Sequence, residues 1–222
     1  MNIKENLENI RRELPEGVEL VAVSKFHPAS AVLEAYEAGQ RYFGESRVQE
    51  FLEKKQELPS DIKWHFIGHL QTNKVKYLIG QIWLIESVDS ERLLDLIDSL
   101  SEKAGIKTRV LLQIHVAKEE TKFGFYPDEI LDFFKEGKYK RLKSTQICGI
   151  MGMASNTDNE ERVRDDFRRI AKIYEEVKEK YGRDLEGFGI LSMGMSGDWK
   201  LAVREGSDMV RIGSAIFGER SY

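Results

Sequence analysis

The chain has 222 residues, 41% of them hydrophobic, enough to build one sizeable core. Its formal net charge is -4, and its Lys and Arg residues are scattered rather than gathered in a stripe, which argues against a nucleic-acid footprint. A lone cysteine, Cys148, excludes an internal disulfide, the charged start MNIKENLENIRREL has no apolar signal region, and no run approaches the ~20 apolar residues of a membrane span. These features predict a soluble, cytoplasmic protein with no nucleic-acid or membrane partner.

Ile3, Leu7, Ile10 and Leu14 recur at helical spacing, and Pro15-Glu16-Gly17 closes that segment. Residues 19–25 (ELVAVSK) then predict a buried strand, and residues 28–38 a helix stopped by Gly39. Alternation continues with strand 41–43 and helix 45–57, strand 63–67 and helix 73–79, and strand 82–87 and helix 90–104. Strand 108–116 precedes helix 127–135, and strand 146–151 precedes a long helix over 160–181. That helix carries Val163, Phe167, Ile170, Tyr174, Val177 and Tyr181 as one core-facing stripe. Strand 188–191, a helical stretch over 199–205 and strand 209–212 complete the set.

Eight strands, each followed by a helical segment, imply a parallel sheet with right-handed crossovers. Eight such units predict a single (β/α)8 TIM barrel over residues 1–222, with an extra N-terminal helix; a doubly wound open sheet is the alternative. No linker, charge block or short repeat divides the chain.

In a barrel, chemistry gathers where strands end at the C-terminal face. Two such ends carry Ser/Gly-rich turns, LSMGMSGD at 191–198 and RIGSA at 211–215. Turns of this kind present backbone N–H groups and hydroxyls, and phosphate is the expected guest. Phosphate sites of such barrels are frequently built from the loops after strands seven and eight, which is where these turns fall. Lys25 closes the first strand on the same face as Val21 and Val23, and desolvation there favours the neutral amine, a nucleophile toward a carbonyl. The bland alternative is a strand-end lysine whose ammonium reaches water. His65 and His69 do not share a helix face, and no metal motif is present. Cys148, in the apolar run TQICGIM, reads as a small core residue, and Asp198 as a cap of the following helix.

VAVSK at 21–25, GESRVQE at 44–50, WHFIGHLQTNK at 64–74, LSMGMSGD at 191–198 and VRIGSAIFG at 210–218 together resemble the pyridoxal phosphate homeostasis proteins, within the superfamily of the alanine racemase N-terminal barrel. The resemblance spans essentially the whole chain, in order. It implies a barrel of fold type III that binds pyridoxal 5′-phosphate. It implies that Lys25 holds the aldehyde as a Schiff base, that Ser196, Gly213 and Ser214 cradle the phosphate, and that Arg211 faces the pyridine nitrogen. Met151, Ser192 and His65 match positions lining the pocket. For Arg211 the alternative is a strand-end pairing with an acid such as Asp208. One departure stands out: the usual Gly-Glu-Asn-Tyr reads Gly44-Glu45-Ser46-Arg47, so a water or Arg47 takes the place of the asparagine.

The resemblance further implies a protein that buffers and delivers the cofactor, with apo enzymes as recipients, as a monomer and with no catalytic reaction of its own. An amino-acid racemase is the competing function. It needs a second acid/base opposite the lysine, which in those enzymes is a tyrosine from a further C-terminal domain of the partner subunit. Here the sequence reaches Tyr222 directly after the eighth unit, and no such domain is expected.

Overall fold

A computed structural model of the chain describes residues 2–116 and 123–219; Tyr222 lies outside them. Helix α1, Ile3–Glu13, opens the chain, its first turn capped by Asn2, whose side chain accepts from Glu5 N at 3.1 Å. It buries Ile3, Leu7 and Ile10, the stripe its spacing predicts.

The strands are β1 Glu19–Val23, β2 Tyr42–Glu45, β3 Lys63–Phe66, β4 Leu84–Val88, β5 Thr108–Ile114, β6 Thr145–Gly152, β7 Ile190–Ser192 and β8 Met209–Ile212. Each pairs in parallel with the next, and β8 pairs back onto β1, so the eight strands of the described residues close a barrel in chain order. The helices between them are α2 Ala29–Glu37, α3 Val48–Glu57, α4 Glu91–Ala104, α5 Pro127–Lys135, α6 Glu160–Tyr181 and α7 Trp199–Arg204, with α8 Ser214–Phe217 after the last strand. This is a (β/α)8 TIM barrel with an added N-terminal helix.

The apolar side chains divide by sheet face. Leu20, Ala22, Phe43, Trp64, Phe66, Val110 and Ile212 point outward into the core shared with the helices. Leu84, Leu111, Cys148 and Met151 form a separate cluster within the barrel. Cys148 is therefore the packed core residue its apolar run suggests. On α6, Val163, Phe167, Ile170, Tyr174 and Val177 are buried as their spacing requires.

Four local expectations change. The first strand ends at Val23, and Lys25 lies in the turn beyond it. Glu45 belongs to β2 rather than to the following helix: it pairs with Phe66 of β3, and its carboxylate meets Lys54 of α3. Residues 73–79 form no α-helix; a 3-10 segment, Thr72–Tyr77, takes their place. The seventh strand is Ile190–Ser192, so it starts two residues later than the apolar run at 188 suggests and ends at Ser192. No helix among the described residues is long and apolar enough to cross a membrane.

Candidate functional site

Parallel pairing sets Val21 opposite Arg211 and Ala22 opposite Ile212. The turns leaving β1 and β8 are therefore neighbours at the C-terminal rim. Gly213 sits so tightly over β1 that an added Cβ would lie 3.1 Å from Val23 O. Beyond the strand, the His27 ring stacks on Phe217 of α8 with centroids 5.2 Å apart. Lys25, half-buried, lies in the turn between Val23 and His27, the two residues that make these contacts.

The turn after β7 joins the same place. Gly213 N donates to Ser196 Oγ at 3.1 Å, which ties the seventh and eighth turns together. Asp198 is the N-cap residue of α7 but makes no side-chain cap bond to it; its Oδ1 instead accepts from Met195 N at 2.6 Å and closes the turn over Ser196 and Gly197. Gly194 has φ +92°, and a Cβ there would come within 2.7 Å of the Ala202 Cβ, so glycine alone lets the turn lie flat on α7. Ser214 is exposed and opens α8. Both helices are short, so the donors at this rim are individual N–H groups and hydroxyls rather than a helix dipole.

Below the rim, inside the sheet, runs a buried polar line. Arg211, third residue of β8, donates through one Nη to Ser192 Oγ and through the other to Gly152 O at 3.0 Å. Ser192 Oγ donates to Glu86 Oε2 at 2.7 Å, and Glu86 Oε1 meets His65 Nδ1 at 2.6 Å. Arg211 lies 3.7 Å from the same carboxylate. All four are buried, none more than 4% exposed. Burial pushes the Glu86 carboxyl up, but the His65 hydrogen bond and charge, the Arg211 charge and the Ser192 hydroxyl outweigh it and hold the group below the usual carboxylate range. Burial lowers the Arg211 guanidinium, which Glu86 and Asp198 counter.

The structure thus brings His65, Ser192 and Arg211 together through Glu86, and Ser196 together with Gly213. Met151 is paired across from Ser192 and buried with Leu84, Leu111 and Cys148. His65 sits lower than its place beside the rim motif suggests: its ring meets Tyr42, the first residue of β2, edge-on at 5.6 Å. Asp208 is not the partner of Arg211; its carboxylate accepts from Leu191 N at 3.0 Å. Arg47 takes a defined position, its guanidinium 4.5 Å from the Phe26 ring centroid, against the residue that follows Lys25. No group of three or more His, Cys, Asp or Glu among the described residues could hold a metal.

The chain matches the alanine racemase N-terminal domain family over residues 1–221. It is 40% identical to the pyridoxal phosphate homeostasis protein of Schizosaccharomyces pombe, over 90% of this chain and 84% of that protein, and 41% identical to the human protein of the same name, over 91% and 77%. The chain belongs to the pyridoxal phosphate homeostasis protein family. Among solved structures, PipY of Synechococcus elongatus with pyridoxal phosphate bound superposes with a TM-score of 0.89 at 36% identity, over 97% of this chain and all of that one. An alanine racemase of Clostridium difficile shares the fold, with a TM-score of 0.77 at 19% identity, over all of this chain and 57% of the racemase.

Two groups of site residues escape sequence reading. Glu86 sits in the apolar run WLIESV, and its only signal is period two from Leu84 on an inward strand face. Glu50 and Lys54 show the four-residue spacing of a surface helix pair, yet the Lys54 side chain is only 6% exposed.

Proposed function

We propose that this protein binds pyridoxal 5′-phosphate through a Schiff base on Lys25 and serves to hold and hand on the cofactor. The observation that supports the reading is that Val23 and His27, two residues to either side of Lys25, both meet the last βα unit, whose Gly213 is tied to Ser196 of the seventh turn. The donor set suits this guest. The Ser196 hydroxyl and the Gly213 N–H now satisfy one another, and both can turn to an anion because each carries a hydrogen to donate. Ser214 adds a third group at the same rim. Arg211 offers only donors, so it is suited to a pyridine nitrogen that keeps its lone pair. Met151, Ser192 and His65 form the floor beneath.

When bound, the cofactor supplies an aldehyde for an amine and a ring that can withdraw electrons. The chain's own residues restrain that chemistry. A guanidinium disfavours a proton on the ring nitrogen, and Glu86 fixes that guanidinium from below. The names of the relatives support a homeostasis role over the racemase reading. In the same reading the chain is one domain, monomeric and cytoplasmic, with apo enzymes as recipients.

Borohydride reduction of the loaded protein, followed by digestion and mass spectrometry, tests the assignment. The adduct is expected on Lys25, and Lys25→Ala is expected to abolish it while keeping weak cofactor binding through the phosphate. A label on another lysine overturns the reading. Racemisation of alanine that vanishes with Lys25→Ala favours the enzyme instead.

A further inference from the structure

The Lys25 turn is held from behind by a buried ammonium that no step above uses. Lys54 of α3 has a side chain only 6% exposed, whereas lysines are almost never buried unless paired. Its Nζ donates to three acceptors, each at 2.7 Å: Ser24 O, Glu45 Oε1 and Glu50 Oε1. Those three bonds use every hydrogen an ammonium has. One of them reaches a residue flanking Lys25 directly and another does so through Glu50. Ser24 precedes it, and Glu50 Oε1 also accepts from the backbone N–H of Phe26, which follows it, at 2.6 Å.

The backbone at Phe26 explains why such a hold is needed. Phe26 has φ +67° and is the one non-glycine among the described residues with positive φ. An aromatic residue is disfavoured there and persists only where its surroundings over-determine it. Phe26 N is committed to Glu50, its ring lies under Arg47, and the carbonyl before Lys25 is committed to Lys54. Ser24 adds a further tie, its hydroxyl donating to Glu45 Oε1 at 2.6 Å. A buried ion cluster is weak evidence for stability, since an apolar replacement is often as stable. Here its bonds converge on one turn.

We infer that Lys54 is a positioning residue for Lys25, holding the strained turn in the one conformation that presents the amine to an aldehyde. The inference rests on the reading of Lys25 as the aldehyde-binding amine. In that step the amine nitrogen bonds the aldehyde carbon, and the aldehyde oxygen leaves as water with both amine hydrogens. The reaction needs a fixed approach of nitrogen to carbon, whereas phosphate and ring binding do not.

Two ligands separate the roles in the full-length protein. Pyridoxal 5′-phosphate reports bond formation by its absorbance change, and pyridoxine 5′-phosphate, an alcohol in place of the aldehyde, reports ring and phosphate binding alone. Lys54→Met keeps the apolar stem and removes the ammonium. It is expected to slow bond formation at least tenfold while leaving the pyridoxine 5′-phosphate Kd within twofold of wild type. Glu50→Ala, which removes the acceptor of Phe26 N at a partly exposed position, is expected to act in the same direction by about threefold, and it decides the matter if Lys54→Met does not fold. Equal losses for both ligands would assign Lys54 to stability alone and overturn the inference, as would an unchanged rate. A wild-type protein that forms no bond at Lys25 removes the underlying reading, and it is recognised before any variant is made.

Discussion

Two buried carboxylates, Glu86 inside the barrel and Glu45 between sheet and α3, are both fully buried, yet their acidities move in opposite directions. Glu86 is held below the usual carboxylate range, whereas burial pushes Glu45 up to about 6 despite Lys54 and Ser24. The difference lies in how partners are shared between oxygens. Glu86 has His65 on one oxygen and Ser192 on the other, with Arg211 nearby. Glu45 takes both Ser24 and Lys54 on Oε1, and its buried Oε2 has no hydrogen-bond partner. Depth alone does not set a carboxylate's charge; the distribution of donors over its two oxygens does.

The largest test breaks the better-satisfied side. Glu86→Ala leaves the Arg211 guanidinium buried without its counter-charge and is expected to destabilise the fold by about 3–5 kcal/mol in urea unfolding. Loss under about 1 kcal/mol would show that the two charges are independent. Reversing the other partner is informative too. Arg211→Glu places a second carboxylate beside Glu86, and one of the two is expected to hold a proton near neutral pH, visible as a carbonyl band in infrared difference spectra.

A second test sharpens the contrast through pH. The rise of Glu45 from 4.5 to about 6 amounts to about 2 kcal/mol of folded-state preference for its protonated form. Its contribution is fully present below 4.5 and is lost as pH rises through about 6. The stability of wild type relative to Glu45→Gln is therefore expected to fall by about 2 kcal/mol between pH 4.5 and 7. Glu86 has the opposite sign: its contribution is present above the ordinary carboxylate pKa and is lost as pH falls. Wild type relative to Glu86→Gln is expected to change little between pH 4.5 and 7 and to lose stability as pH falls below 4.5. Parallel slopes for the two variants would dissolve the comparison.

The smallest expected effect is at the rim. Ser196→Ala removes one hydroxyl while the Gly213 N–H remains, so cofactor affinity is expected to fall by about 0.5–1.5 kcal/mol, read by equilibrium titration. Pyridoxal without its phosphate is expected to lose far more. Equal affinities for pyridoxal and its phosphate ester would remove the anion cradle from the proposal.

The barrel was legible because its signals are periodic and local. Apolar runs alternate with helical stripes, and Gly39 and Gly105 follow the ends of α2 and α4. The rim turns were legible from composition and position in the chain. What could not be read were partnerships between distant residues. Arg211 was visible, but its neighbour Glu86 lies in a different strand across the barrel, and the nearer acid, Asp208, points elsewhere. The positive φ of Phe26 is also invisible in sequence, since an aromatic residue there gives no turn signal. The family resemblance supplied residue roles that spacing alone left open.

Closure of the barrel through β1 and β8 has a consequence for synthesis. Asn6 of α1 donates to Ile216 O at 2.9 Å across a separation of 210 residues, and β1 finds its second neighbour only in β8. On a ribosome the Lys25 amine emerges early, and at about 5–20 residues per second the last βα unit, which meets the residues around it, follows roughly 10–40 s later. Until then β1 is an open edge, available to the wrong strand. In the proposed reading of Lys25, a nascent chain thus carries the amine without the rest of its pocket, and an aldehyde that meets it during translation would be held by one reversible bond alone.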